Sequence, residues 1–498
     1  MYFCRTQGWL PDVRLLQSNK IHLTILDNRK NMKVEQLYTN CLAEAAYYIE
    51  SNGEAAIIDP LRETDPYVEK VETNGVKLKY IFETHFHADF VSGHIDLAHK
   101  TGATIVYGPN AHTNYDIHPA KDEEIFELGG VKIKVLHTPG HTMESTTFLL
   151  IDENGNNHSI FTGDTLFIGD VGRPDLAVKS DLTKEDLAGY LFDSLRNKIM
   201  PLEDNVIVYP AHGAGSACGK NMSDETFDSL GNQKKTNYAL RADMTKEEFV
   251  KEVTDGILPP PQYFPKNAML NKQGYEQVDE VMSRGMTALS IEEFEAKANE
   301  GVIILDTRNE QVFNKGFVPG SMNIGLEGTF AVWVGTLIKN LNEPILLVTD
   351  QGKEKETVLR LARVGYDNAI GYLNGGFEAW KAARKSTDSI RSIEATELET
   401  LKTQGNINIL DVRKPTEYQS EHVIDAQNFP LDFINGHLND LDKEATYYVH
   451  CAGGYRSMVA SSILKKNGYQ NVIDVMGGFR EIAKTGISKT EYVCPSTL

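Results

Sequence analysis

The alternation of hydrophobic and polar positions in residues 32–215 is typical of short β-strands. Runs such as AAYYIES and TTFLLIDE are rich in aliphatic and aromatic residues and are bounded by Gly, Asn, Pro or Asp. Asn52 and Gly53 join two such runs and indicate a β-hairpin. In KEDLAGYLFDSLRNKI, from Lys184, apolar residues recur every three or four positions and predict a helix. The pattern favours a sandwich of sheets flanked by helices.

After this region the chain repeats itself. The stretch VIILDTR, from Val302, is similar to INILDVR, from Ile407, and GYDNAIGYLNGGF is similar to the later GYQNVIDVMGGF. A period of about 100 residues is too long for a solenoid unit. Short apolar runs between helical segments are typical of parallel βα units. We therefore predict two copies of one parallel α/β domain.

The predicted boundaries divide this α/β multidomain chain into four parts. Residues 1–31 lack the apolar core of a signal peptide and are predicted to be an extension outside the fold. Residues 32–284 form the first domain and end in a connector, 256–284, whose prolines predict irregular structure packed on that domain. The two repeats are residues 285–386 and 387–498.

Composition narrows the classes of function. Fifty Lys and Arg against seventy Asp and Glu give a net charge of −20 at pH 7, which argues against nucleic acid as a partner. No apolar run is long enough to span a membrane. Five cysteines, widely spaced in 498 residues, do not form a disulfide framework and predict a reducing, cytoplasmic location. In a reducing compartment, a cysteine in a distinctive motif is expected to have a reactive thiol rather than a structural role.

Histidines and aspartates stand where predicted strands of the first domain end. A single histidine is most often a surface or core residue, but here the residues follow one another in an ordered set, HxHxD…H…D…H. Strand ends at one edge of a sandwich can converge, and imidazole with carboxylate is the donor set of a borderline metal. The set consists of His85, His87, Asp89, His141, Asp164 and His212.

This set resembles the metallo-β-lactamase superfamily, which implies an αββα sandwich for the first domain. The superfamily signature usually ends in a further histidine, HxHxDH, and this chain has Phe90 in its place. The superfamily uses that histidine, with the preceding aspartate, to hold a second metal. Its loss is similar to the persulfide dioxygenase branch, which binds one iron. GDVGRPDL, from Gly169, and AHGAGSACGK, from Ala211, also resemble this branch, especially its forms fused to rhodanese domains.

The resemblance implies that His85, His141 and Asp164 hold one Fe(II). Such a 2-His-1-carboxylate group leaves positions open for O2 and a low-molecular-weight thiol persulfide. The implied products are sulfite and thiol. The residues implied to orient ligands or water are His87, Asp89 and His212.

Two further residues and one alternative belong to this interpretation. Arg173 is a candidate cation for an anionic substrate. Cys218 either faces the metal and carries or relays sulfur, or is an inert apolar side chain. The alternative function is that of a zinc-dependent hydrolase similar to glyoxalase II, although such enzymes generally need the histidine that is missing at position 90.

The second repeat carries a cysteine between a buried strand and a helix, in HCAGGYRS. A thiol at a helix N-terminus meets backbone N–H groups and the helix dipole, which stabilise a thiolate, and Arg456 adds a fixed charge. The loop CxGGxRS, with LDVR before it and GGF after it, resembles the rhodanese family. The resemblance implies that Cys451 takes and donates sulfane sulfur. The loop residues implied to bind the sulfur are Ala452, Gly453, Gly454 and Tyr455.

The first repeat lacks this chemistry, since no cysteine occurs between Cys218 and Cys451. Its matching stretch, VTDQGKEKETV, places Asp350 near the cysteine position in a loop predicted to be shorter. A carboxylate cannot form a persulfide, so residues 285–386 are predicted to be an inactive rhodanese-like domain that spaces or docks the active one. The two sites together predict interconversion of sulfite and thiosulfate. The carrier thiol, the direction of transfer and a homo-oligomeric state stay open.

Overall fold

In a computed structural model of the chain, the described residues are 22–25, 32–40, 42–177, 182–220, 222–257 and 259–494. They form four β-sheets. Two sheets, of seven and six strands, belong to the first domain, and each repeat contributes one five-stranded sheet. Among these residues, every helix is too short or too polar to cross a membrane.

The strands of the first domain follow one another closely along the chain. The seven-stranded sheet consists, in spatial order, of β1 (His22–Ile25), β2 (Met32–Thr39), β3 (Glu44–Ser51), β4 (Glu54–Ile58), β5 (Lys77–Glu83), β6 (Thr104–Tyr107) and β7 (His118–Pro119). The six-stranded sheet consists, also in spatial order, of β8 (Ile125–Leu128), β9 (Val131–His137), β10 (Thr146–Ile151), β11 (Asn157–Gly163), β12 (Ile207–Pro210) and β13 (Asp228–Ser229). The predicted hairpin at Asn52 and Gly53 joins β3 to β4, with Tyr47 opposite Ile58.

Within the predicted extension, residues 1–31, the structure describes only His22–Ile25. This stretch pairs antiparallel with β2, His22 opposite Leu37, and adds an edge strand to the sheet. The expectation that the extension lies outside the fold is therefore wrong for these residues. The rest of the extension lies outside the described residues.

Helices cover both outer faces of the sheet pair. They are α1 (Asp65–Asn74), α2 (His94–Thr101), α3 (Lys184–Ser194), which a π-helical turn extends to Ile199, α4 (Leu230–Thr236) and α5 (Lys246–Thr254). Apolar residues of α1 and α2 pack on the seven-stranded sheet, and those of α3, α4 and α5 pack on the six-stranded sheet. Between the sheets, aromatic residues such as Phe82 and Phe148 form the central core. The layers are αββα, which confirms the predicted fold class.

The connector predicted to be irregular, residues 256–284, contains two helices, α6 (Phe264–Gln273) and α7 (Val278–Gly285). Pro265 lies in the first turn of α6, where its missing N–H costs no hydrogen bond, so this proline is compatible with a helix. Asn271 fastens α6 to the first domain, because its amide donates to the carbonyl oxygens of His87 and Phe90.

Each repeat is a parallel sheet with helices, as predicted. The first contains β14 (Ala288–Leu289), α8 (Ile291–Asn299), β15 (Ile303–Asp306), α9 (Glu310–Phe313), β16 (Met322–Asn323), α10 (Phe330–Leu337), β17 (Ile345–Val348), α11 (Glu354–Ala362), β18 (Ala369–Leu373) and α12 (Gly376–Ala382). The second contains β19 (Arg391–Ile393), α13 (Ala395–Gln404), β20 (Asn408–Asp411), α14 (Pro415–Ser420), β21 (Gln427–Asn428), α15 (Ile434–His437), β22 (Tyr447–His450), α16 (Tyr455–Lys466), β23 (Val472–Val475) and α17 (Gly478–Ile482). The spatial orders, β14-β18-β17-β15-β16 and β19-β23-β22-β20-β21, are the same.

Both repeats contain the same buried arginine–aspartate pair, here called the brace, at the ends of β15 and β20. Arg308 donates to both carboxylate oxygens of Asp306, and Arg413 donates in the same way to Asp411. In each copy a side-chain amide donates to the backbone carbonyl oxygens of that aspartate and arginine. The LDTR and LDVR motifs therefore have a structural role in both copies. The amides belong to Asn323 and Asn428.

The first repeat contacts both of its neighbours. Gly335 on α10 packs so closely on Tyr263 of the connector that a Cβ at Gly335 would lie 2.2 Å from the tyrosine ring. On the other side, the Tyr455 hydroxyl of the second repeat donates to the carbonyl oxygen of Gly325 at 2.8 Å. One cluster of buried apolar residues extends through all three parts of the chain.

Gly335→Ala should destabilise the chain by about 1–3 kcal/mol, because the added methyl group would overlap the Tyr263 ring. Gly436→Ala is the matched control, since the space around Gly436 is open and alanine favours the helix that contains it. Urea unfolding measures both variants. Equal unfolding midpoints would show that α10 does not press on the connector.

Candidate metal centre and sulfur-transfer loop

The loops after three strands bring two histidines and one aspartate together. His85 lies in the loop after β5, His141 in the turn after β9, and Asp164 directly after β11. One donor atom of each side chain lies within 4.8 Å of the others, and all three residues are buried. Asp164 Oδ2 is 3.4 Å from His141 Nε2 and 3.9 Å from His85 Nε2. When the metal–ligand bonds are about 2.1 Å long, two ligand atoms of one ion lie about 3.0–3.5 Å apart. The separations between the three side chains are close to these values.

The three donor atoms suit a divalent metal. His85 Nε2 and Asp164 Oδ2 are buried and make no hydrogen bond with any described residue. A buried polar atom without a partner lowers the stability of the fold, so these two atoms are expected to bind something. The other ring nitrogens are held, His85 Nδ1 by the Thr84 hydroxyl at 3.0 Å and His141 Nδ1 by the Arg173 carbonyl oxygen at 2.9 Å. These contacts direct Nε2 of both rings towards Asp164. Two imidazoles and one carboxylate fit Fe(II) or Zn(II).

His212 bridges two carboxylates. Its Nδ1 lies 2.8 Å from Asp164 Oδ1, and its Nε2 lies 2.8 Å from Asp89 Oδ2. Burial alone would lower the pKa of His212, but the charges of Asp164 and Asp89 outweigh it and raise that pKa well above its usual value. The same contact holds the pKa of Asp164 below its usual range despite burial. Both ring nitrogens of His212 are therefore engaged, and its role in orienting Asp164 stays a prediction.

His87 belongs to a second buried group, with Asp59 and Glu83. Its Nε2 lies 3.1 Å from Asp59 Oδ1 and 3.6 Å from Glu83 Oε2. Phe90 packs against it with ring centres 4.4 Å apart. No sequence motif singles out Asp59 and Glu83, although each is an acidic residue at the end of an apolar strand, β4 or β5. His87 is therefore tied to carboxylates outside the ligand group.

Cys218 lies next to the candidate metal centre and forms a third group with Asp89 and His212, whose donor atoms lie within 4.8 Å of one another. The thiol is buried. Burial, with the charges of Asp164 and Asp89, raises the pKa of Cys218 well above its usual value. The structure thus brings the predicted cysteine to the site as a protonated thiol. Its role in sulfur chemistry stays a prediction.

Arg173 is already paired with a carboxylate. Its Nε and Nη2 donate to the two oxygens of Asp175 at 2.7 and 2.8 Å. Its Nη1 donates to the carbonyl oxygen of Ala217 at 3.2 Å. The guanidinium charge is therefore shared with Asp175, which sequence analysis does not anticipate. Binding of an anionic substrate by Arg173 stays a prediction.

Cys451 directly follows β22, at the N-terminal end of α16. The N–H of Gly454 donates to Cys451 Sγ at 3.1 Å. Gly454 has a φ of 109°, which favours glycine and lets this N–H turn towards the sulfur. The carbonyl oxygens of Cys451 and Ala452 accept hydrogen bonds from the start of α17. The segment from Ala452 through Gly453 to Gly454 is thereby held between two helices.

The two residues after the glycines face different partners. Tyr455 reaches the first repeat through its hydrogen bond to Gly325. Arg456 makes two hydrogen bonds, at 2.6 and 2.8 Å, to the carboxylate of Glu417. Burial would lower the pKa of Arg456, but Glu417 raises it, so the arginine keeps its charge. No sequence motif points to Glu417, which lies 39 positions before Arg456 in the chain.

Two known protein families match parts of this chain. The family described as "Metallo-beta-lactamase superfamily" matches residues 39–212, and "Rhodanese-like domain" matches residues 290–383 and 394–485. The chain belongs to the metallo-β-lactamase superfamily. It carries two rhodanese-like domains after the metallo-β-lactamase domain, which confirms the expected fusion; the predicted boundaries themselves stay predictions.

Two kinds of enzyme are similar to the metallo-β-lactamase domain. Human "Persulfide dioxygenase ETHE1, mitochondrial" is 31% identical over 42% of this chain and 74% of its own length. A probable hydroxyacylglutathione hydrolase of Schizosaccharomyces pombe is 32% identical over 33% of this chain, and the match spans only 60% of that hydrolase. The solved structure of a metallo-beta-lactamase from Staphylococcus aureus is 30% identical, with a TM-score of 0.62, and covers 69% of this chain and 99% of that one. Identity alone does not separate dioxygenase from hydrolase.

In the first rhodanese-like domain, Asp350 lies next to the cysteine position, as expected, but the loop length differs from the expectation. Strand register aligns Val348 with His450, because each pairs with the aspartate of the brace. Thr349, and not Asp350, therefore occupies the position of Cys451. The loop between β17 and α11, residues 349–353, is also longer than the loop 451–454, where a shorter one was expected. The conclusion that this domain lacks a sulfur-carrying thiol is unaffected.

Asp164→Asn or His141→Ala should lower the metal bound per purified chain at least about tenfold, because each removes a ligand atom. His99→Ala is the control, since His99 is an exposed residue of α2. Elemental analysis of the three variants measures the effect. Unchanged metal content in both ligand variants would exclude this group as the metal site.

Proposed function

We propose that the protein oxidises a low-molecular-weight thiol persulfide with O2 to sulfite and thiol, and transfers sulfane sulfur at Cys451, in the reducing cytoplasm. The observation that carries the first activity is the ligand group itself. Two imidazoles and one carboxylate converge on one point, while Phe90 replaces a further histidine and His212 is engaged by Asp89 and Asp164. This favours a single Fe(II) with open positions for two substrates.

His85, His141 and Asp164 would hold the iron, which supplies the one-electron chemistry with O2 that no side chain provides. The overall change is R–S–SH + O2 + H2O giving R–SH and sulfurous acid, which ionises to sulfite. The protein's part is positioning: Thr84 and the Arg173 carbonyl fix the imidazoles, and His212 fixes Asp164. Burial of the whole group excludes bulk water.

The second activity uses the loop of Cys451. The thiolate attacks the outer sulfur of thiosulfate, the S–S bond of thiosulfate breaks, and sulfite leaves with the electron pair. The Cys451 persulfide then passes its outer sulfur to an acceptor thiolate. The Gly454 N–H and the charge of Arg456 stabilise the sulfur anion during both steps. Sulfite and persulfide are common to both sites, so the two activities can supply each other in either direction.

A zinc-dependent hydrolase is the second candidate, and one observation favours it. Asp89, His212 and Cys218 form a further group of possible ligands beside the first. Thiolate, imidazole and carboxylate suit zinc. Two zinc ions would serve thioester hydrolysis, the chemistry in the name of the Schizosaccharomyces pombe relative. In that case the hydrogen bonds of His212 to Asp89 and Asp164 would have to rearrange.

Metal content and O2 consumption together separate the two candidates. Protein loaded with Fe(II) without oxygen should hold about one iron per chain. With glutathione persulfide or coenzyme A persulfide it should consume O2 and release sulfite. Protein loaded with zinc should do neither. Two zinc ions per chain, with hydrolysis of a hydroxyacylglutathione and no O2 uptake by the iron form, would contradict the proposal.

Cys451→Ser should reduce thiosulfate:thiol sulfur transfer to background, because a hydroxyl does not form a persulfide under these conditions. O2 uptake with a supplied persulfide should stay unchanged. Cys494→Ser is the matched control, because Cys494 is an exposed cysteine outside the rhodanese loop. Sulfur transfer that survives in Cys451→Ser would refute the assignment of the sulfur carrier.

A further inference from the structure

A line of buried side chains leads from the sulfur of Cys451 into the second rhodanese-like domain. Cys451 Sγ lies 3.7 Å from Ser457 Oγ, and Ser457 Oγ lies 2.7 Å from Asp474 Oδ1. Each of the three residues is at most 1% exposed. The chemistry described above uses neither Ser457 nor Asp474.

These contacts join into one donor–acceptor line. A hydroxyl donates a single hydrogen and can accept others on its lone pairs. Ser457 Oγ also lies 2.9 Å from the Gly454 carbonyl oxygen, but a hydrogen bond to a carboxylate is stronger. With its hydrogen on Asp474, Ser457 accepts the S–H of Cys451. The thiol proton therefore has an unbroken path to the carboxylate.

The hydrogen-bond partners of Asp474 are neutral. Ser457 of α16 contacts Oδ1, and Ser392 of β19 contacts Oδ2 at 3.2 Å. Burial raises the pKa of Asp474 to about 6, and these two hydroxyls only moderate the effect. The carboxyl group can therefore take up and release a proton close to neutral pH.

The charged groups on the elements around Asp474 are either paired with other residues or carry a negative charge, as Asp474 does. On β22, His450 faces Asp411 at 3.8 Å, and burial lowers the pKa of His450. On α16, Arg456 is paired with Glu417. From the first rhodanese-like domain, the charge of Glu310 on α9 also raises the pKa of Asp474. Within the described chain, Asp474 has no salt-bridge partner.

The duplicated domain provides an internal comparison. It retains the arginine–aspartate brace and its amide, but strand register and loop order show that every member of the polar line is different there. The serine and the buried carboxyl therefore accompany the cysteine and are not demanded by the fold. The counterparts of Cys451, Asp474 and Ser392 are Thr349, Tyr372 and Ala288, and residues 349–362, which correspond to the loop of Cys451 and α16, contain no serine.

We propose that Asp474, acting through Ser457, accepts the proton that Cys451 loses when its thiol becomes the attacking thiolate. The S–H proton passes to Ser457 Oγ while the Ser457 hydroxyl proton passes to Asp474 Oδ1. A thiol and a carboxylate thus become a thiolate and a carboxylic acid, with no change in total charge and no other reactant. Asp474 touches no substrate and is a positioning residue. The proposal rests on the sulfur transfer proposed for Cys451.

Neutralising Asp474 also keeps the buried loop from holding two anions. When Cys451 carries a sulfur anion, the transferred proton leaves Asp474 uncharged. Two adjacent buried anions would repel each other, and one of them would take up a proton. Cys451 and Asp474 should therefore titrate as a coupled pair that shares one proton.

Alkylation of Cys451 by iodoacetamide tests the proposal without requiring sulfur transfer. Its rate is followed against pH by mass spectrometry of the peptide that contains Cys451. In the wild type the rate should rise through a step near pH 6, where Asp474 ionises. Asp474→Asn and Ser457→Ala should remove the step and lower the rate at neutral pH at least about tenfold, because no carboxylate then accepts the thiol proton while the sulfur attacks.

Ser392→Ala is the matched control, since Ser392 contacts Asp474 but not the sulfur. It should keep the step, moved to slightly higher pH by the loss of one donor to the carboxylate. Circular dichroism and unfolding midpoints show which variants fold, and Ser457→Ala carries the test if Asp474→Asn does not. An unchanged profile would overturn the proposal. A faster reaction in Asp474→Asn would also overturn it, because Asp474 would then only repel the thiolate.

Thiosulfate:thiol sulfur transfer, measured on the same samples, distinguishes failure of this proposal from failure of the proposed function. A wild type that shows the step near pH 6 but transfers no sulfur refutes the activity and leaves the proton acceptor in place. A wild type that transfers sulfur, with alkylation profiles unaffected by either variant, refutes the proton acceptor alone.

Discussion

Asp164 is the residue on which the candidate metal centre depends, because its two carboxylate oxygens face different groups. Oδ1 is held by His212 at 2.8 Å. Oδ2 has no hydrogen-bond partner among the described residues and faces His85 and His141. One carboxylate thus faces the two histidines of the ligand group with one oxygen and holds His212, which also contacts Asp89, with the other. This division of labour favours one metal ion over two.

The rhodanese-like pair separates fold from chemistry within a single chain. Both copies have the same strand order and the same arginine–aspartate brace. Only the second has a thiol at the strand end, with a glycine N–H directed at the sulfur. The first copy instead contacts both neighbours, packing Gly335 against Tyr263 and accepting the hydrogen bond of Tyr455. It therefore contacts the domains that carry both sites.

Much of this architecture could be predicted from sequence because its signals are local. Alternating apolar runs, the hairpin glycine and the internal repeat define the layers, and motif spacing picks out the residues that converge. Pairings set by tertiary structure could not be predicted. The sequence does not show that Arg173 is paired with Asp175. It also does not show that Glu417, 39 positions away in the chain, is paired with Arg456. The prolines near the start of α6 indicate a break in the chain. A helix nevertheless tolerates a proline in its first turn, where Pro265 lies.

The claim that a single iron occupies this centre is tested most directly by anomalous X-ray diffraction at the iron and zinc absorption edges, on crystals of protein purified without oxygen. We expect one peak per chain, at the iron edge, about 2.0–2.2 Å from His85 Nε2, His141 Nε2 and an oxygen of Asp164. A zinc peak at that position, or a second peak beside Cys218, would contradict the mononuclear iron centre.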